Sequence, residues 1–246
     1  MLEKVLDLFW PRRCAVCGGK ADRPGRHLCS DCLMRIPFVP TDGLCRRCGR
    51  DAPGLDGEFL CSDCADELRP AFDRAASAMR FEGEARELVN AFKFRGALHL
   101  RGDFVDFLEA TARARFRVGE IGFVAPMPSA AMNRFYRGYN QCDYIAKGLS
   151  RATGIPVIKN AVKRLKSNET QTHKSRDERW QNVEGIFALS DATLLEGKHI
   201  LLIDVPAFAL DPAAKVFPLA TLHDEVIIAV LRIALQVVGT GDVRVV

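Results

Sequence analysis

The chain has 246 residues, 48% of them hydrophobic, and its 35 basic and 31 acidic side chains leave a net charge of +4. That is enough chain for one large domain, or for a small one joined to a medium one, and the charge is too mild to identify a polyanionic partner by itself. The longest apolar run, Val226–Val238 interrupted by Arg232, is too short to span a bilayer, and nothing near Met1 reads as a secretory signal, so a reducing, cytoplasmic setting is expected.

The first ten residues place Leu2, Val5, Leu6, Phe9 and Trp10 on one helical face, with Glu3, Lys4 and Asp7 among them. This pattern reads as a docking helix. Eight of the nine cysteines then fall into four C-x-x-C pairs, Cys14/Cys17, Cys29/Cys32, Cys45/Cys48 and Cys61/Cys64, separated by eleven, twelve and twelve residues. A C-x-x-C turn brings two thiolates to one tetrahedral ion, and two such turns close a four-sulfur site. Eight sulfurs therefore predict two structural zinc ions. Four disulfides would need an oxidising compartment, and thioredoxin-like redox chemistry uses one such pair beside a βαβ unit rather than four in tandem. Sequential pairing (14/17/29/32, then 45/48/61/64) is the simplest arrangement, and interleaved pairing stays open. This quarter of the chain has too few aliphatic residues to bury a sufficient core without metal, which sets an expected zinc domain at 1–66.

Leu33–Leu44, with Pro37 and Pro40, should be an extended connection, and Pro53–Gly54 and Asp56–Gly57 mark turns. Glu84–Phe94 has helical spacing at Ala85, Leu88, Val89 and Phe92, with Gly96 to end it, and a second helix over Asp103–Arg115 should bury Phe104, Phe107, Leu108 and Ala112. Short strands are expected at Phe123–Ala125, Pro156–Ile158, Gly185–Leu189 and His199–Asp204, with a helix at Gln141–Thr153 and a polar helical turn at Arg176–Asn182. Cys142, alone in an apolar helical face, reads as core. Strands alternating with helices predict an α/β domain over 67–246 with a mostly parallel sheet, and ligands in such sheets sit beyond the strand carboxyl ends, where Asp204 falls. Glu225–Val238 is apolar on all sides and reads as a helix, with a final strand at Asp242–Val246.

Several segments in this order resemble the ComF family: Phe92–Gly96 (FKFRG), Val124–Pro128 (VAPMP), Arg137–Gln141 (RGYNQ), Gln171 with Ser175–Arg179 (SRDER), and Asn182–Phe187 (NVEGIF). The resemblance runs from residue 1 to about residue 204. It implies a type I phosphoribosyltransferase-like parallel sheet behind an N-terminal double zinc-ribbon domain. By that resemblance, the loop after Pro126 would hold pyrophosphate through backbone N–H groups near Gly138 and the following helix start. Arg134, Arg137, Asn140 and Gln141 would stand around it. A hairpin over Lys163–Arg179 would close on the substrate with Gln171, Lys174 and Arg176, and Lys93 and Arg95 would reach a nucleotide or DNA phosphate. The family resemblance also implies handling of single-stranded DNA in natural transformation, with a competence helicase as partner. Phosphoribosyl pyrophosphate, if bound, would bring Mg²⁺. Arg12/Arg13, Arg46/Arg47/Arg50 and Lys163/Arg164/Lys166 are basic clusters suited to phosphates. Trp10, Phe38 and Trp180 offer stacking faces, although Trp10 and Phe38 are better read as packing for the zinc domain.

The third loop departs from the family pattern. Two acidic residues followed by a T-T-G-A-T-like turn are expected after the apolar strand, whereas this chain reads Ile203-Asp-Val-Pro-Ala-Phe-Ala-Leu-Asp-Pro212. Asp204 is the one carboxylate at the strand end, and Pro206 and Pro212 lack backbone donors. Thr221 comes too late to substitute. Three readings stay open: transferase activity lost with the scaffold kept, a shift of reading frame after codon 203, or a ligand held differently. A working phosphoribosyltransferase on an unidentified acceptor is the competing function.

Overall fold

A computed structural model describes residues 12–49, 60–65, 73–129, 138–165, 187–190, 195, 197–205, 225–232, 235–238 and 242–245. The expected helix over residues 1–10, the turns at 53–57, the polar turn at 176–182 and the loop at 206–212 lie outside them. So do Trp180, Arg50 and Lys166.

The main sheet has four strands in the order β1 (Arg74–Arg80), β6 (Glu225–Arg232), β5 (His199–Ile203), β2 (Ile121–Pro126). β2 and β5 run parallel, with Val124 opposite Leu201, as alternating strands and helices require. β6 runs antiparallel to both β5 and β1, so the mostly parallel sheet expected above is mixed. The expected helix over Glu225–Val238 is likewise replaced, by β6 and by β7 (Leu235–Val238), which pairs with β8 (Asp242–Val245). An all-apolar run carries no period to separate helix from strand, and the β-branched Val226, Ile227, Ile228 and Val230 suit a strand hydrogen-bonded on both sides. The Pro156–Ile158 strand contracts to one parallel bridge between Val157 and Val124, on the outer edge of β2.

Three helices carry the core, each where apolar spacing put it. α3 (Gly83–Phe94) buries Ala85, Leu88, Val89 and Phe92, and the chain turns away at Gly96, whose φ of 67° favours glycine. α4 (Arg101–Arg115) buries Phe104, Phe107, Leu108 and Ala112, and packs on β1 and on α5 (Gln141–Thr153). The Phe92 and Phe104 rings meet at 4.7 Å between centroids. Asn140 caps α5 by accepting from the Cys142 N–H at 3.2 Å, and Cys142 is buried in the core as expected. β3 (Val162–Arg164) and β4 (Phe187–Leu189) form a separate antiparallel pair, so the chain leaves and returns side by side at the two ends of residues 165–186.

The cysteine-rich segment packs on the edge of β1. After α1 (Ser30–Met34) the extended connection adds to that edge: Val39 N–H donates to Ala78 O at 3.1 Å and Arg80 N–H to Pro37 O at 3.0 Å. Phe38 does not pack among the cysteines. Its ring meets Phe107 of α4 edge-on at 5.1 Å. An ionic clasp ties the first cysteine loop to the start of α4. Arg26 donates to both Asp106 oxygens at 2.6 and 2.7 Å, while the fully buried Asp103 accepts from the His27 N–H at 3.0 Å and from Arg23 at 3.3 Å. Burial nevertheless pushes the Asp103 carboxyl above its ordinary range, against these donors.

α4 and α5 cross at Gly148, where an added Cβ would collide with Val105. Gly148→Leu should cost about 1–3 kcal/mol in urea unfolding, because an overpacked contact outweighs the better helix propensity of leucine. A variant as stable as the parent, or more so, would contradict that close approach.

Candidate metal centres and strand-end cluster

The two cysteine sets share one local design. At Cys14–Gly18 and at Cys45–Gly49, the glycine N–H donates to the first cysteine's carbonyl at 2.9 Å, and both glycines sit at positive φ, 72° and 70°. The second pair of each set lies on a short helical turn: Cys29 is the N-cap of α1, and Cys61 precedes α2 (Ser62–Ala65). Gly49 is required for a second reason, since a Cβ there would lie 2.9 Å from the Ala75 carbonyl of β1. Ala75 N–H in turn donates to Arg47 O at 2.7 Å, which fixes the second set to the sheet.

The sulfurs of Cys14, Cys17, Cys29 and Cys32 lie within 4.8 Å of one another, and so do those of Cys45, Cys48, Cys61 and Cys64. Pairing is sequential. Cys17 and Cys29 Sγ are 3.8 Å apart, and Cys48 and Cys61 Sγ 3.7 Å. A tetrahedron with Zn–S bonds of about 2.3 Å has edges of about 3.8 Å, whereas a disulfide needs about 2.05 Å. None of the nine cysteines is in a disulfide. Seven of the eight in the sets are at least partly buried, Cys17 being the exposed one.

Their electrostatics point the same way. Burial acts to raise the Cys14 thiol, but N–H groups of Cys17, Cys29 and Val16 outweigh it and bring it down to about 7. Cys45 reaches about 7 in the same way, against burial, through N–H groups of Cys48, Cys61 and Arg47. Burial pushes Cys64 up to about 12, and burial and neighbouring thiols push Cys32 up as well. Each site thus stabilises one thiolate and resists further charge, which only a cation at the centre can relieve. The two closed four-sulfur sets are consistent with two structural zinc ions. With no fourth position left open, the ions would supply folding energy rather than a reactive water.

A second group forms where β2 and β5 end. Asn140 donates to Met127 O at 2.9 Å, and Met127 N–H donates to Ile203 O at 2.9 Å. Gln141 donates to Lys93 O at 3.2 Å, and Asn140, Gln141 and Lys93 are all buried. Burial raises the Cys142 thiol to about 12, with the Asp204 charge adding and Lys93 opposing. Lys93, Asn140, Gln141 and Asp204 therefore come together around Cys142. The Asn140 and Gln141 amides are engaged with the scaffold, one as helix cap and the other on the α3 carbonyl. Gly138 precedes them, exposed, with φ of 75°. Arg134, Arg137, Gln171, Lys174 and Arg176 lie outside the described residues. Arg13 and Arg46, beside or within the two knuckles, are exposed, as is Lys163. No helix among the described residues is long and apolar enough to cross a membrane.

Residues 5–65 match the double zinc ribbon domain. The chain is 27% identical over 187 residues to Competence protein F of Haemophilus influenzae, covering 74% of this chain and 78% of that one. It is 28% identical over 189 residues to Competence protein ComFC of Bacillus subtilis (74% and 72%), and 24% identical over 191 residues to DNA utilization protein YhgH of Escherichia coli (78% and 76%). The double zinc ribbon match and these similarities together support the ComF family. No solved structure matches this chain. The C-x-x-C spacing located all eight cysteines of the two sets. Sequence reading missed Arg23, Arg26, Asp103 and Asp106, because no local pattern marks an ion pair whose partners are 80 residues apart.

Stripping metal from the protein with a chelator should raise amide hydrogen exchange across residues 12–49 and 60–65 while α3–α5 keep most of their protection. Unchanged exchange in the cysteine segment after complete metal removal would contradict a metal-dependent fold.

Proposed function

We propose that this is a competence-associated zinc protein of the cytoplasm that handles single-stranded DNA during natural transformation, working with a helicase. The observation that carries this reading is a pair of closed four-cysteine centres in a chain similar over about three quarters of its length to Competence protein F, ComFC and the DNA utilization protein YhgH. The exposed Arg13, Lys20 and Arg46 around the knuckles supply cations for backbone phosphates. Phe38 packs edge-on against Phe107 of α4 and keeps part of its surface exposed.

In this reading the α/β part, residues 67–246, is a type I phosphoribosyltransferase-type scaffold without turnover. Asp204 alone follows β5, and Pro206 and Pro212 stand where a phosphate cradle needs backbone donors. The competing reading, a working transferase using phosphoribosyl pyrophosphate and Mg²⁺, draws on the meeting of Lys93, Asn140, Gln141 and Asp204 at the end of the parallel strand pair.

Fluorescence anisotropy with a labelled oligonucleotide tests the first reading. Binding should weaken steeply with salt, by about tenfold or more between 50 and 200 mM if several phosphates are contacted. Absence of binding at low ionic strength would overturn it. Titration calorimetry with phosphoribosyl pyrophosphate and Mg²⁺ separates the two readings. No heat is expected, and micromolar binding would establish the transferase reading instead.

A further inference from the structure

Four thiolates around a divalent ion leave a net charge of −2, and burying that charge is costly unless cations face it. Each cysteine set has an arginine directed at it from outside its two C-x-x-C turns. At the first set, Arg35 donates from Nη2 to Cys32 Sγ at 3.2 Å and from Nε to Glu84 of α3 at 2.6 Å. At the second, Arg115, in the last turn of α4, donates from Nη2 to Cys45 O at 3.2 Å and from Nη1 to Thr41 O at 3.3 Å.

The two arginines differ in how much of their charge the sulfurs feel. Arg35 is 54% exposed and shares its charge with Glu84. Arg115 is half-buried, and among the described residues no carboxylate is bonded to it. Two carbonyls fix its position without neutralising it. A cation kept there, at the end of a core helix, makes sense as the counter-charge of the metal centre.

We propose that Arg35 and Arg115 are second-sphere cations that set how firmly the two zinc ions are held, so that the α/β layer, through Arg115 and through Glu84 on Arg35, stabilises the metal centres docked on it. The inference rests on zinc occupying both cysteine sets. Outer-shell partners of metal ligands are commonly worth 10–100-fold in metal affinity. Arg115 should fall in that range, and the exposed, shared Arg35 below it.

The test is the time course of zinc transfer from the full-length, zinc-loaded protein to a chromogenic chelator in excess. Arg115→Met should accelerate half of the zinc amplitude by about tenfold or more and leave the other half unchanged. Arg35→Met should accelerate the complementary half by a few-fold, and Arg115→Lys, which keeps the charge, should stay near the parent rate. Should Arg115→Met fail to fold, Arg115→Gln, whose amide can still donate to a carbonyl, serves in its place. Unchanged rates would overturn the proposal. So would a lysine variant as fast as the methionine one, or acceleration of both halves together by either substitution. A parent protein that yields no zinc at all would instead remove the metal assignment on which the proposal stands.

Discussion

Four sulfur atoms held within 4.8 Å of one another cannot all carry charge unless a cation stands between them. That constraint organises the N-terminal part of this protein twice over. The chain in those regions is short of aliphatic side chains, so its order derives from the knuckle turns at Gly18 and Gly49, from N–H groups aimed at Cys14 and Cys45, and from an ion that such sulfur sets would hold. A structural ion in each set would take the place that a hydrophobic core fills in a larger domain.

The centres are built into the α/β layer rather than tethered beside it. Residues 37–39 extend the sheet past β1 and cover an edge that would otherwise be open to pairing. The second knuckle abuts Ala75 at the start of that strand, and Arg26 and Arg23 grip Asp106 and Asp103 at the start of α4. α4 therefore meets the first cysteine loop at its N-terminus, Phe38 in its middle and the second cysteine set at its C-terminus. Away from this seam lie the ends of β2 and β5, where Lys93, Asn140, Gln141 and Asp204 gather.

Much of this was legible from residue types. C-x-x-C spacing located the metal ligands because tetrahedral chelation leaves little freedom in loop length. Apolar spacing at Leu88, Val89 and Phe92, and at Phe104, Phe107 and Leu108, located α3 and α4. Legibility failed where period was missing: Glu225–Arg232 carries no alternation, and its strand character comes from neighbours on both sides. It failed as well for tertiary pairings. Nothing near Arg26 or Arg115 in sequence announces Asp106 or Cys45, since those meetings exist only once the fold brings distant segments together. The third anion loop, absent as a pattern after Asp204, lies beyond the described residues.

The central claim is that each tetrad encloses one zinc ion with four thiolate ligands. X-ray absorption at the zinc edge on purified protein addresses it directly. The account predicts a single shell of four sulfurs at about 2.3 Å, with two zinc ions per chain. A shell containing nitrogen or oxygen at about 2.0–2.1 Å, or one ion per chain, would contradict it.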